Sequence, residues 1–194
     1  MDLTQGTEKQ KHERSRKMML WFGIGSLIMA FAGWTSAYII STYREDWSSE
    51  VRLPDLFFVS TAVLVISSIT YILAKRQVKK ENQKNATVWL VVTLILGILF
   101  VILQFLGFDE MIVKYGYRFT GPTSNIKMSF IYLIAATHIL HVAAGLISLV
   151  VVLVQQLKGK YNPQNMLGIE LGATFWHFLD VLWIYLVLFM YFVK

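Results

Sequence analysis

The chain has 194 residues, of which 56% are hydrophobic and 15% are charged, and its formal net charge is +6. Its mean hydropathy of +0.54 lies outside the range of soluble domains of this size, so the composition excludes an ordinary soluble globular protein. There is no cysteine, which excludes thiolate nucleophiles and cysteine-bound zinc or iron–sulfur centres. The basic residues flank apolar runs without interleaved aromatic side chains, so no nucleic-acid partner is predicted.

Five apolar runs follow one another along the sequence. Residues 1–18 form a charged tail that is expected to be mobile or to lie at the membrane surface. Within residues 19–194, each run approaches the about 20 residues that a helix needs to cross a bilayer, and none alternates as barrel strands do. The runs cover about residues 20–41, 56–74, 88–108, 128–154 and 171–193. The sequence therefore predicts an all-α polytopic membrane protein, a bundle of five transmembrane helices.

The distribution of basic residues predicts the orientation of the bundle. Twelve of the 18 lysines and arginines lie in the N-terminal tail and in the connections after the second and fourth runs. Because basic residues favour the cytoplasmic side, the N-terminus is expected in the cytoplasm and the C-terminus outside. The first run is too long for the apolar part of a signal peptide and is expected to be retained. The connection 109–127, expected outside, contains no nucleotide or metal motif.

Polar residues inside the runs are the candidate functional residues, because a polar group in hydrocarbon must face protein, water or a lipid headgroup. The main set is His138 and His141 in the fourth run, and Glu170, Thr174, His177 and Asp180 in the fifth. The four in the fifth run follow one helical stripe, and the two in the fourth are one turn apart. A milder group comprises Ser60, Thr61, Ser67, Ser68 and Gln104.

Three interpretations of the main set are open on the residues alone. The set can form a structural network or lipid-facing surface, a proton relay, or the ligands of a metal or haem. Counted at 1.5 Å per residue from the cytoplasmic helix ends, His141 and His177 differ in depth by about 9 Å, too far to share one metal. Asp180 lies closer to the depth of His141, so a hydrogen bond between these two across the helices is expected. A bis-histidine haem is disfavoured.

The polar motifs resemble those of a known family. THILHVAAG in the fourth run and IELGATFWHFLDVLW in the fifth are similar to subunit III of the haem–copper respiratory oxidases. In that family the last helix typically carries a glutamate, small residues and W-H-F-x-D-x-x-W, and the preceding helix carries H-x-x-H-V-x-x-G. The matching positions here are Glu170, Trp176, His177, Phe178, Asp180 and Trp183, with His138, His141, Val142 and Gly145. The resemblance covers about residues 20–194.

The resemblance implies an accessory, non-catalytic subunit with no haem, copper or other cofactor of its own. Haem and copper would be held by its partner, the catalytic subunit I, in an enzyme that reduces oxygen to water and translocates protons. Other oxidase subunits and structural phospholipid are further implied partners, and support of proton supply is an implied role. The six polar residues of the main set would then shape a lipid cleft or an intramembrane polar network.

Departures from the family pattern limit what the resemblance implies. The chain lacks the two extra N-terminal helices of longer members, and it has apolar residues near Leu27, where those members carry a buried glutamate. It resembles the short, five-helix form, which implies a prokaryotic enzyme of the plasma membrane. The sequence leaves open whether the parent oxidase takes electrons from cytochrome c or from quinol.

A membrane cytochrome or quinol-interacting anchor with its own haem is the alternative function, since such proteins also carry histidines inside their helices. A Soret band in the visible spectrum of the purified single chain would favour the cytochrome. A small transporter is disfavoured, because broken helices near mid-membrane are typical of transporters and none of the five runs contains an internal proline.

Overall fold

A computed structural model of the protein describes residues 6–45, 47, 53–114, 116, 119 and 125–193. This part of the chain forms five α-helices. They are α1 (Glu8–Ser41), α2 (Asp55–Lys79), α3 (Gln83–Val113), α4 (Ile126–Leu157) and α5 (Leu167–Phe192). All five are long and apolar enough to span a membrane, which confirms the predicted all-α bundle of five transmembrane helices. Much of the connection 109–127 falls outside the described residues.

The first helix begins well before its apolar run. Thr7 caps it, because its Oγ1 accepts a hydrogen bond from the backbone N–H of Gln10 at 3.4 Å. The side-chain oxygen of Gln10 accepts in return from the N–H of Thr7 at 3.2 Å, which completes a capping box. The charged tail is therefore helical from Glu8 onwards. Its composition gave no such signal, since it contains no apolar periodicity.

The fifth helix lies at the centre of the helix contacts. It packs against α1, α2 and α4, while α3 packs against α2 and α4. Within the described residues α1 contacts α4 and α5 but not α2. An opening therefore lies between α1 and α2 with α5 as its floor, and we call it the α1/α2 groove. We call the end of the bundle at which α1 and α5 begin, and α2 and α4 end, the basic end.

Trp176 of α5 fills the middle of the bundle. Its ring lies beside Gly97 of α3, where a Cβ would be 2.7 Å from a ring carbon, and beside Gly145 of α4, where a Cβ would be 3.3 Å from one. Both positions thus need glycine, because a larger side chain would press on the Trp176 ring. The indole Nε1 donates a hydrogen bond to Ser67 Oγ of α2 at 3.2 Å. A single side chain of α5 therefore contacts the three helices α2, α3 and α4.

Candidate functional site

The segment between α4 and α5 determines where α5 begins. Tyr161 is 7% exposed, and its backbone carbonyl accepts a hydrogen bond from Gln83 Nε2 at 2.9 Å. Its phenol lies against Gly168, where any Cβ would collide with the hydroxyl oxygen. Burial raises the pKa of the Tyr161 phenol, so this group stays neutral at physiological pH. Glu170 lies in the first turn of α5, where the helix dipole favours a carboxylate.

Glu170 connects three helices at the basic end. Its Oε2 lies 3.6 Å from Lys17 Nζ of α1, and its Oε1 lies 3.8 Å from Lys75 Nζ of α2. The side chains of Lys17, Lys75 and Glu170 are 50%, 33% and 33% exposed, so each pair adds only about 0 to 1 kcal/mol of stability. The main effect of these pairs is positional, since they gather three charges at the mouth of the α1/α2 groove.

The α1/α2 groove combines these charges with apolar side chains. A cavity of about 210 Å³ at its mouth is lined by residues of α1, α2 and α5: Lys17, Leu20, Trp21, Lys75, Glu170, Leu171 and Thr174. A second cavity of about 320 Å³ shares Lys17 and Glu170 with the first and adds Glu13 and Lys79. The arrangement suits an amphipathic molecule with a charged head and an apolar body.

Thr174 and His177 continue the stripe from Glu170 into the bundle. Thr174 Oγ1 donates to the carbonyl oxygen of Glu170 at 2.9 Å. His177 Nδ1 lies 2.5 Å from Ser68 Oγ of α2, and its ring centroid lies 6.0 Å from that of Tyr71. The His177 side chain remains 30% exposed. This histidine is therefore anchored to α2 while part of its ring stays accessible.

Asp180 lies one turn beyond His177, inside the bundle. It is 3% exposed, and its Oδ2 lies 4.0 Å from His177 Nδ1. Neither carboxylate oxygen has a hydrogen-bond partner within the described residues. The expected hydrogen bond to His141 is not formed, because His141 Nδ1 is bonded at 2.7 Å to the carbonyl oxygen of Thr137 on its own helix. Depth along the bilayer was the basis of that expectation, and depth does not fix the direction of a side chain.

His138 lies in an aromatic pocket between α1, α3, α4 and α5. It is fully buried and stacks on Trp183 at a centroid distance of 4.8 Å. Phe31 and Phe100 approach it edge-on at 6.3 and 6.1 Å, and neither ring nitrogen has a hydrogen-bond partner within the described residues. The structure thus brings together Glu170, Thr174, His177 and Asp180. It leaves His138 and His141 apart from them, although both lie against Phe31.

The partners of the site residues were not evident from the sequence. Lys17 and Lys75 lie in the charged flanks of their runs, where the pattern of basic residues predicts only the orientation of the bundle. Because both lysines are predicted at the same membrane end as Glu170, the sequence contained a signal for these ion pairs. The hydroxyl side chains of α2 join this helix to α5, which their composition did not indicate. Thr61, Ser67 and Ser68 each contact a side chain of α5.

The geometry limits the chemistry that this site can perform. Ser68 and Asp180 approach the same ring nitrogen of His177, whereas the catalytic triad of a serine hydrolase uses both ring nitrogens. Within the described residues, no three His, Asp or Glu side chains come together as the ligands of one metal ion would. The arrangement can bind an amphipathic molecule and can hold a proton on a buried carboxyl group.

Curated relatives match over most of the described bundle. The chain is 28% identical over 176 residues to cytochrome c oxidase subunit 3 of Alkalihalophilus pseudofirmus, covering 89% of this chain and 84% of that protein. It is 35% identical over 126 residues to cytochrome bo(3) ubiquinol oxidase subunit 3 of Pseudomonas aeruginosa, covering 65% and 58%. It is 32% identical over 139 residues to a probable cytochrome c oxidase subunit 3 of Rickettsia felis, covering 71% and 48%.

The family match includes every residue of the site except those on α1. Residues 49–194 match the family described as cytochrome c oxidase subunit III. This range contains the whole of α2 to α5 and both motifs on which the resemblance was based, so the resemblance is confirmed. The chain therefore belongs to the cytochrome c oxidase subunit III family.

Proposed function

We propose that this chain is the accessory third subunit of a haem–copper terminal oxidase in a prokaryotic plasma membrane, docked on a catalytic subunit I that holds the haem and copper. Family membership supports this proposal, as do relatives named as subunit 3 of cytochrome c oxidase and of bo(3) ubiquinol oxidase. The concentration of basic residues at one end of the bundle supports a cytoplasmic N-terminus. The role of the chain is then to sustain the partner that performs the redox chemistry.

Within this function, the α1/α2 groove holds a phospholipid with its headgroup at the basic end. The observation that carries this step is the lining of the mouth, where Lys17 and Lys75 lie above Leu20 and Leu171. Both lysines lie farther from Glu170 than an ordinary hydrogen bond reaches. Their ammonium groups can therefore donate to a lipid phosphate while Glu170 holds them in position.

A lipid in this groove would complete the packing of the bundle. Because α1 does not contact α2 within the described residues, acyl chains between these helices would bury the exposed stripe of α5. The Ser68–His177 hydrogen bond fixes α5 against α2 on one side of the groove. The polar residues then shape a lipid cleft that stabilises the complex during turnover. Catalysis takes place in subunit I.

Lipid retention by the purified oxidase complex tests the groove. The double variant Lys17→Met and Lys75→Met removes both ammonium groups and keeps apolar side-chain length. Native mass spectrometry after mild delipidation should then count about one phospholipid fewer per complex than in the wild type. Lys84→Met is the matched control, since Lys84 is exposed on α3 and does not line the groove. Equal lipid counts in the wild type and the double variant would contradict the proposal.

Expression with and without the other subunits tests the accessory role. Produced alone, the chain should be poorly stable and should show no Soret band. Produced with the oxidase, it should comigrate with a haem-containing complex in detergent. A stable, monodisperse single chain with its own activity or its own haem would contradict the accessory role and favour a membrane cytochrome.

A further inference from the structure

Asp180 is an acidic side chain buried inside the bundle, with Ser68 and His177 as its polar neighbours. It is 3% exposed, and neither of its oxygens has a hydrogen-bond partner within the described residues. An ionised carboxylate in such surroundings has a high free energy, whereas the neutral acid is much less unfavourable there. The group is therefore suited to bind a proton in the interior of the bilayer.

His177 lies one turn from this acid and, on the same stripe of α5, one turn from Thr174, which lines the groove cavity. Its Nδ1 lies 4.0 Å from Asp180 Oδ2 and 2.5 Å from Ser68 Oγ. Because both neighbours approach Nδ1, Nε2 is left for the exposed part of the ring, and the side chain is 30% exposed. Counted along α5, His177 lies about 10 Å from Glu170 at the basic end. The imidazole thus lies between an accessible surface and a buried carboxyl group.

We propose that Asp180 is a proton-binding site inside the bilayer and that His177 carries the proton between this site and the α1/α2 groove. A proton from the groove binds Nε2 of the neutral imidazole, and the proton on Nδ1 passes to Oδ2, so an N–H bond breaks and an O–H bond forms. Asp180 becomes a neutral acid, and His177 returns to a neutral ring protonated on Nε2. Release is the reverse. The transfer requires the two atoms to approach by about 1 Å from their present separation.

Ser68 can hydrogen-bond to His177 whether or not Nδ1 carries a proton. A hydroxyl group can accept a hydrogen bond as well as donate one. It can therefore accept from Nδ1–H before the transfer and donate to the bare Nδ1 afterwards. The observed contact at 2.5 Å is compatible with either direction. Ser68 would thus position the imidazole throughout the exchange.

The other titratable groups on the neighbouring helices define the electrostatic setting. On α2 these are Tyr71, whose ring lies 6.0 Å from His177, and Lys75. On α4 they are His138 and His141, and on α1 they are Lys17 at the basic end and Tyr38 near the far end. The positive charge of Lys75 opposes a long-lived imidazolium, so His177 passes its proton on. The site depends on the groove itself and not on the lipid that we propose there.

Infrared difference spectroscopy of the intact oxidase complex tests the proton on Asp180. Asp180→Asn preserves the shape of the side chain and removes the acid. The wild-type minus variant spectrum should contain the C=O band of a neutral carboxylic acid. Loss of carboxylate stretching bands in its place would overturn the proposal. The lipid count of Asp180→Asn should equal that of the wild type, so failure here is distinguishable from failure of the lipid proposal.

Deuterium exchange of the same band tests the route through His177. His177→Gln keeps an acceptor for Ser68 but cannot carry a proton, so exchange after transfer to D₂O should slow by about tenfold or more. His141→Gln is the control, because His141 is bonded to its own helix and should leave the rate unchanged. Ser68→Ala gives a second reading if the first variant loses the subunit, and should also slow the exchange. Wild-type exchange rates in both His177→Gln and Ser68→Ala would overturn the route.

Discussion

At the scale of single residues, short hydroxyl side chains of α2 anchor the large polar side chains of α5. The three contacts pair Ser67 with Trp176, Ser68 with His177, and Thr61 with Trp183. Each hydrogen bond between helices contributes only about 0.6 kcal/mol on average in a membrane protein. Because all three join the same two helices, together they fix the rotation of α5 about its axis.

The Trp183–Thr61 hydrogen bond can be measured directly. Trp183→Phe removes the indole N–H that donates to Thr61 Oγ1 at 3.1 Å and reduces the stacking on His138. The free energy of unfolding in bicelles should fall by about 1 kcal/mol. Thr61→Val removes the same bond from the other side, and the double-variant cycle should give a coupling energy of about 0.6 kcal/mol. A coupling energy of zero would show that the bond adds nothing.

The intramembrane histidines should be dispensable for haem. His138 is enclosed by aromatic rings, His141 is bonded to its own helix and His177 to Ser68. Replacing each in turn by leucine should therefore leave the haem and copper content of the assembled complex unchanged. The measurement is haem per complex, made on preparations that still contain this chain. Loss of one haem on any single replacement would favour the cytochrome alternative.

The sequence identified the polar residues of α5 but could not pair them. Spacing along a helix correctly predicts that Glu170, Thr174 and His177 share a stripe, because 3.6 residues make one turn. Which neighbour each side chain meets depends on the rotation of a second helix, and that is set by packing. For this reason the hydrogen bond between His141 and Asp180 was wrongly expected, and the contact between His177 and Ser68 was not foreseen.

At the scale of the helices, contact with α5 depends on glycine. Trp176 enters a recess formed by Gly97 and Gly145, so its ring reaches α3 while α4 packs directly against α5. The apolar runs predicted the number of helices because spanning length is set by the bilayer. They did not predict the early start of α1, which depends on the Thr7 cap and not on hydrophobicity.

Gly97→Ala should destabilise the bundle, whereas Gly25→Ala should not. At position 97 a Cβ would lie 2.7 Å from Trp176 and 2.8 Å from Leu146, so one of these side chains must shift. Overpacking of this kind costs about 1 to 3 kcal/mol. At position 25 a Cβ meets nothing within 4 Å. The measurement is the melting temperature of the two variants in the same detergent. Equal melting temperatures would contradict the claim that Trp176 needs glycine at position 97.

At the scale of the whole molecule, five crossings would place the residues before α1 and those after α5 on opposite sides of the membrane. Reporter fusions after Lys80 and after Val193 should therefore report opposite compartments, with Lys80 in the cytoplasm. Fusions after Lys80 and Gln164 should report the same compartment. Two identical results for Lys80 and Val193 would contradict five crossings, and a reversed pair would contradict the orientation alone.

The central position of α5 has a consequence for how the protein is made. Synthesis proceeds from the N-terminus, so α5 is the last of the five helices to leave the ribosome. Until it is inserted, Thr61, Ser67 and Ser68 of α2 lack their side-chain partners on α5, and α1 lacks one of the two helices that it contacts within the described residues. The unfinished chain is therefore the form most open to membrane proteases and chaperones. Insertion of α5 completes the packing of the bundle. Because α5 also carries Glu170, His177 and Asp180, the same step completes the α1/α2 groove.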